Sequence, residues 1–318
     1  MNTSYILSLL IGAVICTGLF AFTLSKRRGS LAPALCAFPI GLCLGTVCSK
    51  VLYVLMKAQE QFDNYGLSAF LRTQPAEFTF VGGCVGVVLA ICLAARLCKQ
   101  PVSSTLDAFA PAGALMAAIV RGSTYFLDRM SMVGVGDYVE NEALWFFPIA
   151  VENEMLFGWF YAVFMLECAF ALLCAIAVFF PAIRSKMKPG HLFLHAVFFL
   201  ALPQIFCEQL LGSYIKWAFV RVEQLLCALI VFSVILYACQ KNKGAKKRFM
   251  PLVFTGVCML AVIDLLFMLD NKYLFGLELA PDVCHILMIV LLIIIAGMEL
   301  WAFRRLDDHP DRQRDSAE

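Results

Sequence analysis

Apolar residues run along this chain in blocks of about twenty, broken by short polar or basic stretches, from residue 5 to beyond residue 300. A bilayer hydrocarbon core of roughly 30 Å is crossed by about 20 residues of helix. The pattern therefore predicts about nine transmembrane helices, near 5–24, 32–56, 78–97, 107–129, 157–180, 191–211, 223–240, 250–269 and 283–303. The fold class is all-α, a polytopic membrane protein. The least apolar of these spans is 107–129, which holds Asp107, Arg121 and Asp128. The first segment has no basic stretch before it, and Lys26, Arg27 and Arg28 follow it, so it reads as a retained span and not as a cleaved signal peptide.

Composition agrees: 62% of the residues are hydrophobic, 15% are charged, and mean hydropathy is +0.83. Soluble domains carry about 45–50% apolar and about 25% charged residues. A soluble enzyme, a disordered chain and a disulfide-rich secreted domain are excluded. The net charge of +2 gives no reason to expect a nucleic-acid partner, because the positive residues lie in short clusters between apolar runs.

Those clusters set the expected orientation, since Lys and Arg favour cytoplasmic loops. Of the 25 basic residues, 17 follow odd-numbered spans: Lys26–Arg28, Arg96 and Lys99, Arg184–Lys188, Lys241–Arg248, and Arg304–Arg314. The N-terminus is predicted outside and the C-terminus in the cytoplasm. The long external segments are then 57–77 and 130–156, rich in acidic and aromatic residues such as Glu60, Asp63, Asp137, Trp145, Glu152 and Glu154. Segment 130–156 is too long for a plain connector and is expected to form a small structured cap. The tail 304–318 is polar and expected to be disordered. All 14 cysteines lie in spans or near the cytoplasmic side, with no CxxC pair, so neither a disulfide framework nor a metal site is expected.

A charge inside a span is costly unless it is paired or hydrated, so each is a candidate functional residue. The candidates are Lys50, Asp107, Arg121, Asp128, Glu167, His195, Glu208, Asp264, His285 and Glu299. With about 1.5 Å of rise per residue, Arg121 is predicted roughly 12 Å and Glu167 about 15 Å below the outer surface. Glu208 is placed near the outer end of the sixth span. One cation and two carboxylates thus fall in the outer half of the bilayer. They form either an ion-pair network that fixes helix packing or a hydrated cavity in which Arg121 grips a phosphate or carboxylate. Asp107 and Glu299 are expected to mark cytoplasmic interfaces, and His195 and His285 to serve packing or hydrogen bonding. Gly82, Gly83 and Gly86 open the third span at a spacing that suits close helix approach or a thin face against a lipid headgroup. Gly134-x-Gly136 lacks the context of a phosphate loop.

From about residue 40 to 240 the chain resembles the prolipoprotein diacylglyceryl transferases, seven-helix membrane enzymes with an outward N-terminus. Glu77-Phe-Thr-Phe-Val-Gly-Gly-Cys-Val-Gly86 resembles the start of the family's third helix, normally a His-Gly-Gly-type motif. The basic turn at Ala94-Ala-Arg96 and Leu106-Asp-Ala-Phe-Ala-Pro111 resemble the approach to its fourth helix. Ala118-Ile-Val-Arg121-Gly-Ser-Thr-Tyr-Phe-Leu-Asp-Arg129 falls where the signature Gly-Arg-Ile-Gly-Asn-Phe-x-Asn-Gly-Glu belongs. Phe164-Met-Leu-Glu167 is similar to Leu-Tyr-Glu of the fifth helix, Ile205-Phe-Cys-Glu208 to Arg-Phe-x-x-Glu of the sixth, and Val222-Glu-Gln224 to the opening of the seventh. The chain departs from the pattern at Val81 (histidine), Thr124 (asparagine), Arg129 (glutamate) and Gln204 (arginine).

The resemblance implies a transferase-like core over 1–240, two added spans within 241–303 and the cytoplasmic tail. It implies transfer of a diacylglyceryl group from phosphatidylglycerol to the lipobox cysteine of a preprolipoprotein, in a bacterial cytoplasmic membrane. Glu208 and Glu167 are the implied catalytic residues. Arg121, Gly82, Gly83 and Thr124 are the implied phosphate- or lipid-binding residues, and no cofactor or metal is implied. The partners are the phospholipid, the signal peptide of the preprolipoprotein and the membrane itself. Two alternatives stay open: a relative that binds phospholipid or lipoprotein without transfer, motivated by the four departures, and a small-solute transporter, motivated by buried charge at several depths. Against the transporter, no inverted repeat or matched pair of broken helices is visible in the sequence.

Overall fold

A computed structural model describes residues 3–127, 132–153, 156–184, 187–212, 215–217, 220–241, 249–271 and 280–307. Among the described residues, nine helices are long and apolar enough to cross a membrane. They are α1 (Thr3–Lys26), α2 (Ala32–Met56), α4 (Phe80–Leu97), α5 (Val102–Ser123), α6 (Val163–Arg184), α7 (His191–Leu210), α8 (Val222–Lys241), α9 (Met250–Asn271) and α10 (Pro281–Asp307). The short helix α3 (Ala58–Tyr65) follows α2. Asp128, Arg129, Glu154, Lys186, residues 242–248, Lys272 and the tail from 308 lie outside the described residues.

Two predicted spans move. The fourth begins at Val102, directly after Pro101, because proline is preset for a helix start and has no N–H to leave unpaired. It ends at Ser123 and tightens into a 3-10 turn, Thr124–Phe126, whose first N–H bonds back to the carbonyls of Arg121 and Gly122. The fifth begins at Val163, not 157, because residues just before it form a strand. The all-α membrane architecture holds, with two small hairpins added: β1 (Ala150–Asn153) and β2 (Gly158–Tyr161) pair antiparallel, with Ala150 opposite Tyr161. A second small hairpin joins β3 (Lys216–Trp217) and β4 (Val220–Arg221).

The chain divides into two compact units, Met1–Leu200 with Leu210–Gln224, and Ala201–Gln209 with Leu225–Glu318. In the first, burial is inverted relative to a soluble protein. Leu7, Ile11, Val14 and Ile15 of α1 are exposed, while Gly12, Ala13, Cys16 and Phe20 are buried. Lipid solvates leucine as well as a protein interior does, so small residues that let backbones approach decide the packing. α5 presents buried Ala108, Ala110, Ala112, Ala114, Ala117 and Ala118 to its neighbours α1, α4 and α6. The buried Thr23 hydroxyl of α1 donates to the Ala108 carbonyl at 2.6 Å.

The α2–α4 seam rests on glycine. A Cβ on Gly86 would sit 2.8 Å from the Cα of Gly45 and closer still to the Leu44 backbone; one on Gly82 would sit 2.8 Å from the Cys48 carbonyl oxygen and from the Ser49 Cα. Gly83 lies on the looser side, where a Cβ meets nothing nearer than 3.9 Å. Gly86→Ala is therefore expected to cost roughly 1–3 kcal/mol by overpacking, since rigid backbone must give way. Gly83→Ala is expected to be neutral or to stabilise by up to about 1 kcal/mol through helix propensity. Thermal unfolding of the two variants in detergent separates them; equal Tm values would remove the seam argument.

Both segments predicted to be external carry regular structure among their described residues. Between α2 and α4, α3 is followed by 3-10 turns at Gly66–Leu71 and Pro75–Glu77. Ala69 packs on Tyr53 and Val54 of α2, while Leu67 and Leu71 are 80% and 82% exposed. The cap over 132–162 folds around the β1–β2 hairpin, and Val135, Val151, Ala162 and Phe164 form its core. Trp145 stacks on Trp159 at 6.4 Å, and its indole N–H donates to the Val139 carbonyl.

In the second unit, Val231, Ile235, Val262, Met288 and Ile295 are buried, while Val257, Leu260, Ile286 and Ile293 point outward. All 14 cysteines of the chain are thiols.

Candidate functional site

A buried charge pair in the first unit centres on Arg121, in the last turn of α5. Its Nε lies 3.2 Å from Oε2 of Glu167 on α6; the two side chains are 12% and 1% exposed. The guanidinium carbon sits 4.0 Å above the ring centre of Phe80, the first residue of α4. Tyr5 of α1 and Cys84 of α4 are within electrostatic reach of the same group. The Ser8 hydroxyl donates to that of Ser123 at 2.9 Å, tying α1 to α5 beside it. Four helices thus meet at one cation, and a positive charge in the last turn of α5 also complements that helix's dipole.

The depths differ from those predicted. Arg121 is five residues from the end of its hydrophobic span at Phe126, or roughly 8 Å by helical rise. Glu167 is four residues into α6, or roughly 6 Å. The estimates of 12 and 15 Å were too deep because the fourth apolar span ends at Phe126 and residues 158–161 form a strand ahead of α6. Both charges therefore lie at one level, just inside the end predicted to face outside.

The other expected residues fall as follows. Glu208 belongs to the second unit, where it is 4% exposed and accepts a hydrogen bond from Gln204 Nε2 at 3.3 Å. Thr124 starts the 3-10 turn after Arg121; its hydroxyl donates to the Val120 carbonyl at 3.4 Å, and it helps line a small pocket with Tyr125, Val135 and Phe164. Gly82 faces the α2 backbone, so its small size is accounted for by packing, and Gly83 is half-buried beside Ser49. Val81 is buried. His195 is buried in α7, and His285 meets Phe206 edge-on at 6.1 Å. Asp264 is exposed on α9, and Glu299 is fully buried on α10.

Two clusters were not anticipated. Lys50 is satisfied by Glu77, whose Oε2 accepts from Nζ at 2.7 Å while its Oε1 accepts from Arg72 Nε at 3.0 Å. The signal was a lysine mid-span, which needs a carboxylate; the partner stood 27 residues on, in a segment read as external. Asp107, near the predicted cytoplasmic end of its span, is a buried capping residue. It is 1% exposed, accepts the backbone N–H of Gly190 at 2.8 Å and of Phe193 at 2.9 Å, and lies 3.5 Å from Arg27 Nη1. It caps the start of α7 from another helix.

Chemically, the site offers a guanidinium fixed at its Nε edge by a carboxylate and across its face by a ring. A guanidinium carries five N–H donors in a planar fork that matches phosphate oxygens, and it stays charged at any working pH. In a partly dry setting such a group binds or stabilises an oxyanion far better than in water.

Comparison with known proteins follows the same line. The family described as prolipoprotein diacylglyceryl transferase matches residues 3–239 of this chain, a stretch that includes Arg121, Glu167 and Glu208 and stops before α9. A protein of Clostridium novyi (strain NT) named phosphatidylglycerol--prolipoprotein diacylglyceryl transferase is 23% identical over 248 residues, covering 75% of this chain and 93% of that protein. With nine apolar helices among the described residues and a family match from α1 nearly to the end of α8, this chain belongs to the prolipoprotein diacylglyceryl transferase family.

Proposed function

We propose that this protein transfers a diacylglyceryl group from phosphatidylglycerol to the lipobox cysteine thiol of a preprolipoprotein, in the cytoplasmic membrane of a bacterium. The observation that carries the reading is the Arg121–Glu167 pair, 3.2 Å apart, inside the family-matched region and near the predicted outer end of its helices.

The reaction forms a bond from the cysteine sulfur to the glyceryl carbon and breaks the bond from that carbon to the phosphate oxygen. Glycerol phosphate leaves, and the thiol proton is lost. Negative charge grows on the leaving phosphate, and Arg121 is the group suited to meet it. Glu167 keeps the guanidinium in place through its Nε edge. The nucleophile is the thiolate, and a free cysteine with a pKa of about 8.5 supplies a small fraction of it at neutral pH.

The test is incubation of purified protein with phosphatidylglycerol and a lipobox peptide, read by mass spectrometry for a thioether-linked diacylglyceryl group. No product, with a family enzyme active in parallel, overturns the transferase reading. A second reading is favoured by buried Val81, which stands where the family pattern has histidine: a relative that binds phospholipid without transfer. Its signature is phosphatidylglycerol that co-purifies with the protein, is lost in Arg121→Ala, and yields no thioether.

A further inference from the structure

We infer that Phe80 is a positioning residue for the transfer, acting through Arg121; the inference rests on the transferase reading above. The guanidinium carbon stands over the Phe80 ring at 4.0 Å, well inside the range of about 6 Å over which a ring face attracts a cation. A stacked ring holds the face of the guanidinium without consuming an N–H donor, while Glu167 takes the Nε edge at 3.2 Å. Face and edge together restrict the guanidinium, so the protein and not the substrate sets its orientation.

Phe80 is itself held. It opens α4, and its ring packs against Ala117 and Ala118 of α5 and Ala171 of α6. The residue before it is locked to α2 from both sides: the Ser49 hydroxyl donates to the Thr79 carbonyl at 2.6 Å, and the Thr79 hydroxyl donates to the Ser49 carbonyl at 3.2 Å. Three residues before Phe80, Glu77 is pinned by Lys50 and Arg72. The ion cluster thereby fixes the first turn of α4 and with it the platform under the guanidinium.

The experiment uses full-length protein in phosphatidylglycerol-containing nanodiscs and compares Phe80→Leu, Phe80→Tyr and Arg121→Ala with the unaltered chain. Two quantities are read: kcat/KM for thioether formation on a lipobox peptide, and the rate at which phenylglyoxal modifies Arg121, followed by peptide mass spectrometry. Phe80→Leu keeps an apolar side chain but loses the π face. It is expected to lower kcat/KM roughly 10- to 30-fold, the value of a partly desolvated cation–π contact, and to speed Arg121 modification several-fold. Phe80→Tyr is expected to restore both to within about threefold. Unchanged modification and turnover in Phe80→Leu overturns the inference, and so does a loss that Phe80→Tyr fails to rescue, which marks a packing role only. If Arg121→Ala turns over normally, the role of Arg121 in transfer fails instead, while the modification rate still decides whether Phe80 holds the guanidinium.

Discussion

Arg121→Ala is expected to lower the rate of thioether formation by about 10²–10³-fold, the usual cost of losing one preorganised donor to a developing oxyanion. Arg121→Lys is expected to recover only part of this, because a point charge on a flexible stem can neither stack on Phe80 nor present a planar fork. A structural effect accompanies the chemical one: removing the guanidinium strands the Glu167 carboxylate, 1% exposed, without its cation. Breaking a buried pair from one side costs about 3–5 kcal/mol. The double variant Arg121→Ala/Glu167→Ala separates the two effects. It is expected to regain much of the lost Tm while remaining inactive, because stability needs the pair matched and the reaction needs the cation. Rates and melting curves on the same detergent-purified samples check this. A single Arg121→Ala variant that transfers within threefold of the unaltered protein removes the phosphate role.

The membrane architecture was legible in the sequence because it depends on an average. Twenty apolar residues in a row have few structures open to them in lipid, since every backbone N–H and C=O must be paired within the segment. What was less legible depended on single partners. Lys50 announced a need for a carboxylate without saying which, and Glu77 was hidden by lying beyond the predicted end of the span. Asp107 looked like an interface residue because it sits near a helix end; nothing local showed that the amides of Gly190 and Phe193 would be brought to it. The strand at Gly158–Tyr161 reads as apolar helix, Gly-Trp-Phe-Tyr, until it is paired with Ala150–Asn153. That error set the depth of Glu167 wrong by roughly 9 Å, between one and two helical turns. For the site, then, residue types were readable from cost alone, since intramembrane charge is rare. Their pairing was not, because it is a property of helix ends placed to within one turn.

Asp107→Ala is expected to be among the most destabilising single substitutions in the first unit, costing about 3–5 kcal/mol. One carboxylate there does three things. It accepts the N–H groups of Gly190 and Phe193, which α7 cannot satisfy in its own first turn, and it faces Arg27, which is 8% exposed and also donates through Nε to the Ala182 carbonyl at 2.7 Å. Alanine orphans two buried amides and leaves a guanidinium without its anion, joining α1, α5 and α7 less firmly at the end predicted to face the cytoplasm. Asp107→Asn keeps one acceptor oxygen but turns an NH2 toward a donor, so its cost falls between alanine and the unaltered residue. Thermal unfolding in detergent orders the three. The readout also distinguishes this cluster from Arg121: the Asp107→Asn protein that survives purification is expected to keep its transfer rate per folded molecule, whereas Arg121→Ala loses rate at any level of folding. An Asp107→Asn variant with normal Tm and depressed turnover would falsify the assignment and move Asp107 from scaffold to chemistry.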